Sequence, residues 1–252
     1  MKQLIAFDLD GTLAESKQPI GEPIATALGR LLGVTKVAVI SGGDWPQFEA
    51  QVISRLPSDA DLTKLFIMPA TGTKLYRFEG GAWHCVYADD FSRDESAAIR
   101  KALEVASADQ GLDKDQSWGK RIEGRGSQVT FSGLGQEAPL DAKKAWDPDF
   151  AKRKRLQAAL QRQLPDLSIN IGGSTSIDIT RQGIDKAYGM RRLTEHSGVP
   201  ARAMLFLGDA IYPGGNDYPV AQAGIDVIAV RDPLETMRIV TAIALCLASS
   251  DP

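Results

Sequence analysis

The sequence predicts an α/β fold: a doubly wound, Rossmann-like parallel-sheet core carrying an inserted α+β cap domain. Three observations predict it. Short apolar runs of strand length alternate with helical segments at the start of the chain, the same alternation returns near its end, and the segment between them breaks the rhythm. Strands joined through helices run parallel, because the crossover carries the chain back to the edge from which it left.

KQLIAF (2–7) is apolar, too short to stand alone as a helix and ended by the turn residues DLDGT, so it predicts a buried strand. GEPIATALGRLL (21–32) places apolar residues at helical spacing, KVAVISGG (36–43) is a second buried strand closing in glycines, and WPQFEAQVISRL (45–56) is again helical. YRFEGGAWHCVYADD (76–90) predicts a hairpin turning at Gly80 and Gly81. A helix (94–108), two strands (119–124 and 127–133), a long basic helix (148–164) and two short strands (167–172 and 175–180) follow without a crossover rhythm. They predict a module inserted into its host, with residues 1–90 and 186–252 as the core and 91–185 as the cap. MLFLGD (204–209) and DVIAV (226–230) return as strands, with a short helix in DYPVAQAG (217–224) and a final helix over 233–248.

Composition narrows the partners. A net charge of −3 on 252 residues offers no general attraction to nucleic acid or to an anionic membrane, which leaves small molecules as the expected partners. Cys85 and Cys246 are too few and too far apart for a disulfide framework, and no apolar run reaches membrane-spanning length. The expected setting is the cytoplasm.

Chemistry is concentrated where strands end. In an open parallel sheet, ligands bind at the carboxyl ends of the strands, and FDLDGTL puts Asp8 and Asp10 there. Two carboxylates that close repel unless a cation or a shared proton relieves them, so the pair predicts a hard divalent ion such as Mg²⁺. Taken alone, Asp-x-Asp-Gly also fits an Asx turn. Three further fragments weigh against that. In VISGGD, the Ser41 hydroxyl and the N–H groups from Gly42 onward are placed to receive a phosphate; in GIDKAYG, Lys186 opens a helix; in FLGDAIYPGGND, Asp209 ends a strand and Asn216 and Asp217 follow a glycine turn. By themselves the first is a common loop and the second an ordinary surface lysine.

The ordered set of Asp-x-Asp, hydroxyl, lysine and Gly-Asp…Asn-Asp resembles the haloacid dehalogenase superfamily of phosphotransferases. Within it, SGGD, IGGSTSID, GIDK and YPGGND together are most similar to the eukaryotic-type phosphomannomutases, with the capped sugar-phosphate phosphatases behind them. The resemblance implies that Asp8 is a nucleophile forming an aspartyl phosphate and that Asp10 moves protons. It further implies that Lys186 screens the phosphate, that Asp8, the Asp10 carbonyl and Asp209 hold Mg²⁺, and that Asn216 and Asp217 stand behind them. Chemistry agrees, since a dianionic ester repels an anionic nucleophile unless cations screen it.

For the cap, the resemblance assigns Ser176 and Asp178, two residues apart on one strand face, to the sugar or its distal phosphate, and Arg125 to a phosphate clamp, with Arg121 nearby. It also implies dimerisation through caps. Two positions depart from the family: SGLGQ ends in Gln136 where an arginine is usual, and Lys17 replaces another arginine just past the first motif. A mutase must hold a bisphosphate while it reorients, whereas a hydrolase needs only to bind a monophosphate and admit water. An uncharged Gln136 therefore places a sugar-phosphate phosphatase slightly ahead of a phosphomannomutase. The KRKR run (152–155) could restore the missing charge but reads as a solvated helix face, and Thr71 and Thr73 could frame the phosphate site. A catalytically silent sugar-phosphate sensor on the same scaffold is the non-enzymatic alternative.

Overall fold

Leu4, Ile5, Ala6 and Phe7 are each wholly buried in the computed structural model, which describes residues 1–172 and 174–249. These four residues form β1 (Leu4–Phe7), the middle one of the five parallel strands in a seven-stranded sheet. β2 (Lys36–Ile40) and β3 (Leu65–Met68) lie parallel on one side of it, β10 (Met204–Gly208) and β11 (Asp226–Ala229) on the other. The hairpin β4 (Lys74–Glu79) and β5 (Ala82–Ala88) extends the sheet antiparallel beyond β3.

Alternation along the strands serves both faces. Ile5, Phe7, Val37, Val39, Leu65 and Ile67 face the helices α1 (Glu22–Val34), α2 (Trp45–Gln51) and α9 (Pro233–Ala248). Leu4, Ala6, Ala38, Ile40, Phe66 and Met68 face α7 (Lys186–Ser197) and α8 (Tyr218–Gln222). A sheet covered on both sides is why its strands read as unbroken apolar runs. Between β3 and β4 the single turn α3 (Pro69–Gly72) is interrupted by left-handed Ala70 and Thr71 (φ 47° and 61°), a conformation costly for residues with a Cβ.

The chain divides into two compact units, Met1–Ala88 with Asp185–Pro252, and Asp89–Ile184. The second unit is an antiparallel sheet in the order β6 (Ile122–Gly124), β7 (Gln128–Ser132), β9 (Ser176–Arg181), β8 (Leu167–Gly172). One face of it, Val129, Phe131, Ile169, Ile177 and Ile179, packs on Ile99 and Leu103 of α4 (Arg93–Asp109) and on Leu156 and Leu160 of α6 (Ala151–Gln163). Ser92 and Glu95 begin α4 with a reciprocal capping box.

Some boundaries move. The strand expected over 119–124 shrinks to Ile122–Gly124, since Arg121 donates to the carbonyls of Leu112, Asp115 and Gly133 and ties the preceding loop down. A helix not expected, α5 (Leu140–Trp146), precedes α6. Within KRKR, Lys154 and Arg155 are exposed as a solvated face would be, but Arg153 is buried, its Nε 2.8 Å from Asp147 Oδ2 and its Nη1 3.2 Å from the Gly172 carbonyl. Gly173, the second glycine of IGGSTSID, lies outside the described residues. Among those residues no helix is long and apolar enough to cross a membrane.

Candidate active site

β10, β1 and β2 are neighbours and parallel, so the residues that follow them, Asp209, Asp8 and Ser41, stand at one edge of the sheet. The ladder runs on into the site: Asp8 N–H donates to the Leu207 carbonyl at 3.0 Å. Gly11 then turns with φ +90°, and a Cβ there would collide with the Asp209 carboxylate, so only glycine lets the two strand ends approach. Thr12 is buried below them and its hydroxyl reaches Asp209 Oδ1 at 3.5 Å.

Lys186 opens α7, whose first turn is capped by Asp185 accepting from Tyr188 N–H at 2.7 Å. The crossing of Gly189 over Gly72 sets how deep that turn lies, because a Cβ on either glycine would meet the other's backbone. Its ammonium ends 2.6 Å from Asp8 Oδ1 and also donates to Asp217 Oδ1. Asp217 is wholly buried and its other oxygen accepts from Ala210 N–H at 3.0 Å, so both of its oxygens are engaged.

One lysine thus faces two buried carboxylates. Burial pushes the Asp8 carboxyl up to about 7 from its ordinary 3.8, against the pull of Lys186 and with the added repulsion of Asp217. Burial alone would lower the Lys186 ammonium, but Asp8 and Asp217 outweigh it and hold it above the ordinary lysine value. Asp8, Asp209 and Asp217 each bring a carboxylate oxygen within 4.8 Å of the others. An all-oxygen set with more negative charge than Lys186 answers fits a hard divalent cation.

A linkage follows from that charge balance. Protonated Asp8 competes with a cation, so ion binding should strengthen as pH rises through about 7. In chelator-treated protein, adding a divalent cation is expected to raise the unfolding temperature more above that pH than below it. At about a hundred times Kd the gain is about 2.7 kcal/mol. A pH-independent shift would show that Asp8 is not a ligand.

Asp10 is half-buried: its Oδ1 accepts from Lys17 N–H at 2.7 Å and its Oδ2 lies 3.4 Å from Gln47 Nε2. Ser41 is buried at the end of β2, and its carbonyl accepts from Thr71 N–H at 2.9 Å, while Ala70 N–H donates to the Gly43 carbonyl at 2.8 Å. The left-handed turn at Ala70 and Thr71 is therefore what pins the Ser41–Gly43 loop. Asn216 is exposed beside buried Asp217.

Ser176, Asp178, Arg125 and Gln136 belong to the second unit. Asp178 and Thr130 are opposite one another on β9 and β7, and Asp178 Oδ1 accepts from Thr130 Oγ1 at 2.7 Å and from Gln128 Nε2 at 2.9 Å. Ser176 faces Ser132 one step along the same sheet face. Arg125 is paired with Glu123 Oε2 at 2.9 Å, and Arg121 is committed to backbone carbonyls. Among the described residues Gln136 Nε2 is buried without a hydrogen-bond partner, and Lys143 Nζ donates to the Gln136 carbonyl at 3.0 Å. Gln47, Gln128, Thr130 and Lys143 were not singled out by the sequence; only period-two spacing with Ser132 could have drawn attention to Gln128 and Thr130.

A family model described as eukaryotic phosphomannomutase matches residues 106–246, more than half of the chain. The chain is 25% identical over 249 residues to a phosphomannomutase of Encephalitozoon cuniculi, covering 94% of this chain and 91% of that one. It is 23% identical over 244 residues to a phosphomannomutase of Saccharomyces cerevisiae, covering 94% and 92%. A haloacid dehalogenase-like hydrolase from Bacteroides thetaiotaomicron superposes with a TM-score of 0.64 at 16% identity, over 96% of this chain and 100% of that one, a likeness of fold.

Proposed function

The chain belongs to the eukaryotic phosphomannomutase family, and we propose that it moves the phosphoryl group of a hexose phosphate through Asp8, interconverting 1- and 6-phosphates. The observation that carries phosphoryl transfer is the buried Asp8 carboxylate held 2.6 Å from Lys186 at the carboxyl end of β1. A carboxylate aimed by a lysine can approach a dianionic ester that would otherwise repel it.

Asp8 attacks phosphorus and Lys186 screens the oxygens of the transferring group. Asp10, fixed by Lys17 N–H and Gln47, gives a proton to the departing sugar oxygen and later takes one from the hydroxyl that accepts the phosphate. Asp217, with both oxygens engaged, holds Lys186 in place. Mg²⁺, held by Asp8 and Asp209 with the Asp10 carbonyl, would supply Lewis-acid stabilisation of the phosphoryl oxygens. Ser176 and Asp178, with Thr130 and Gln128 orienting the latter, would receive the sugar.

Mutase stands ahead of phosphatase here, the reverse of the order the sequence suggested. The family match runs through the inserted unit as well as the core, and the relatives align over nearly their whole length. Lys143, 3.0 Å from the Gln136 carbonyl, offers a cation beside the position that lost its arginine. Hydrolysis remains the second reading because Gln136 is uncharged, Arg125 is neutralised by Glu123 and Arg121 is occupied.

A ³¹P NMR time course with Mg²⁺ on mannose and glucose 1- and 6-phosphates, with and without a trace of the 1,6-bisphosphate, decides between them. Interconversion stimulated by the bisphosphate is the expected result. Inorganic phosphate alone would establish the hydrolase, and Gln136→Arg should then raise any mutase activity relative to hydrolysis. Absence of both reactions would exclude these hexose phosphates as substrates.

A further inference from the structure

Gln47 stands one turn before Gln51 on α2, and the two residues grip the loop that follows Asp10. The carbonyl of Gln51 accepts from Ile20 N–H at 2.9 Å, and its buried side-chain oxygen accepts from Gln47 Nε2 at 3.0 Å. The same Gln47 nitrogen reaches Asp10 Oδ2 at 3.4 Å. An amide nitrogen has two hydrogens, and this geometry uses both, so the Gln47 plane is fixed by one partner in α2 and one in the loop. The other end of the amide lies over Gly43: a Cβ at that glycine would collide with Gln47 Oε1. Gly43 closes the Ser41–Gly43 loop, so a single side chain spans the loop proposed to receive the phosphate and the carboxyl proposed to move its proton.

We propose that Gln47 is a positioning residue for Asp10, setting the direction in which its carboxyl presents a proton to the leaving sugar oxygen. The proposal rests on the reading of Asp10 as that proton's donor. In the step concerned, an Asp8 oxygen bonds to phosphorus, the phosphorus–oxygen bond to the sugar breaks with its electron pair on the sugar oxygen, and that oxygen takes the proton from Asp10. Lys17 N–H fixes only one carboxyl oxygen, at 2.7 Å, and leaves rotation about that contact open; Gln47 closes it from the second oxygen.

The distinguishing readout is dependence on the leaving group. A hexose is a poor leaving group and needs the proton, whereas p-nitrophenolate leaves without one. Rapid-quench measurement of enzyme phosphorylation with Mg²⁺ would compare a hexose phosphate with p-nitrophenyl phosphate for wild type, Asp10→Asn, Gln47→Leu and Gln47→Met. Gln47→Met keeps the length of the side chain beside Gly43 and removes the donor. It is expected to slow phosphorylation by the sugar ester roughly tenfold or more, as loss of an orienting partner does, with KM and the p-nitrophenyl phosphate rate within about twofold of wild type. Equal slowing with both esters, or none with either, would overturn the proposal. If Asp10→Asn shows the dependence and both Gln47 variants lack it, the proposal alone fails. If Asp10→Asn itself lacks it, the proton-donor reading fails and takes the proposal with it.

Discussion

Asp8→Asn is expected to abolish turnover, by at least roughly 10⁴-fold, while leaving the fold intact. The magnitude is that of deleting a covalent nucleophile, where the surrounding groups retain only binding and electrostatic stabilisation. Asparagine matches aspartate in shape, so neither the β1 ladder nor the Gly11 turn is disturbed. Lys186 keeps Asp217 as its partner and is not left as an isolated buried charge. In the presence of chelator, the variant should even be more stable than wild type above neutral pH. Wild-type Asp8 is raised to about 7 by burial, so between 3.8 and about 7 the folded state binds more protons than the unfolded one, and stability falls as pH climbs through that window. An amide carries no such penalty. Phosphoenzyme trapping and thermal unfolding on the same preparation test the pair of expectations. Retention of more than about 1% of activity, or of a trapped phosphoenzyme, would put the nucleophile elsewhere.

How much of this was legible depends on whether the information is local. The parallel core could be read because each strand is a short apolar run closed by turn residues, and Asp8, Ser41 and Asp209 could be found because they stand immediately after such runs. Lys186 was legible only through its order among the other fragments; nothing in GIDKAYG says that the lysine is buried rather than solvated. The side chains that orient the site were not legible. Gln47 reaches Asp10 across an interval of 37 residues, and Gln128 reaches Asp178 across 50. Such partners are chosen by tertiary packing, to which period and propensity are blind. Arg153 failed for a related reason: in a run of four cations, composition predicts solvent, while Asp147 and the Gly172 carbonyl provide the partners that let one of them be buried. α5 escaped notice because LDAKKAW is short, with no side-chain cap to mark its start.

Lys186→Met should be strongly destabilising at neutral pH and above, and its cost should depend on pH in a direction that the carboxylates dictate. Methionine fills much of the lysine's volume, so little of the loss comes from a cavity. What is lost is the cation between Asp8 and Asp217, which are 4% and 0% exposed. Removing one partner of a buried pair typically costs about 3–5 kcal/mol, because the remaining charge has neither water nor counterion. Here two carboxylates are left, and Asp217 keeps the Ala210 N–H. Asp8 would seek a proton: its carboxyl is already raised to about 7 with Lys186 present, and the lysine's opposing pull is what the variant removes. A carboxyl whose folded value exceeds its unfolded value makes stability fall with rising pH between the two. The deficit of Lys186→Met relative to wild type should therefore be small at acid pH and grow through and beyond neutrality. Measured in the presence of chelator, so that no metal ion replaces the missing cation, unfolding temperatures across that range would show it. A deficit that is the same at all pH values would mean that the lysine contributes packing alone, and that Asp8 and Asp217 are not held as an interacting pair of charges. Activity should vanish in the variant at every pH, because protonation that rescues the fold also removes the nucleophile.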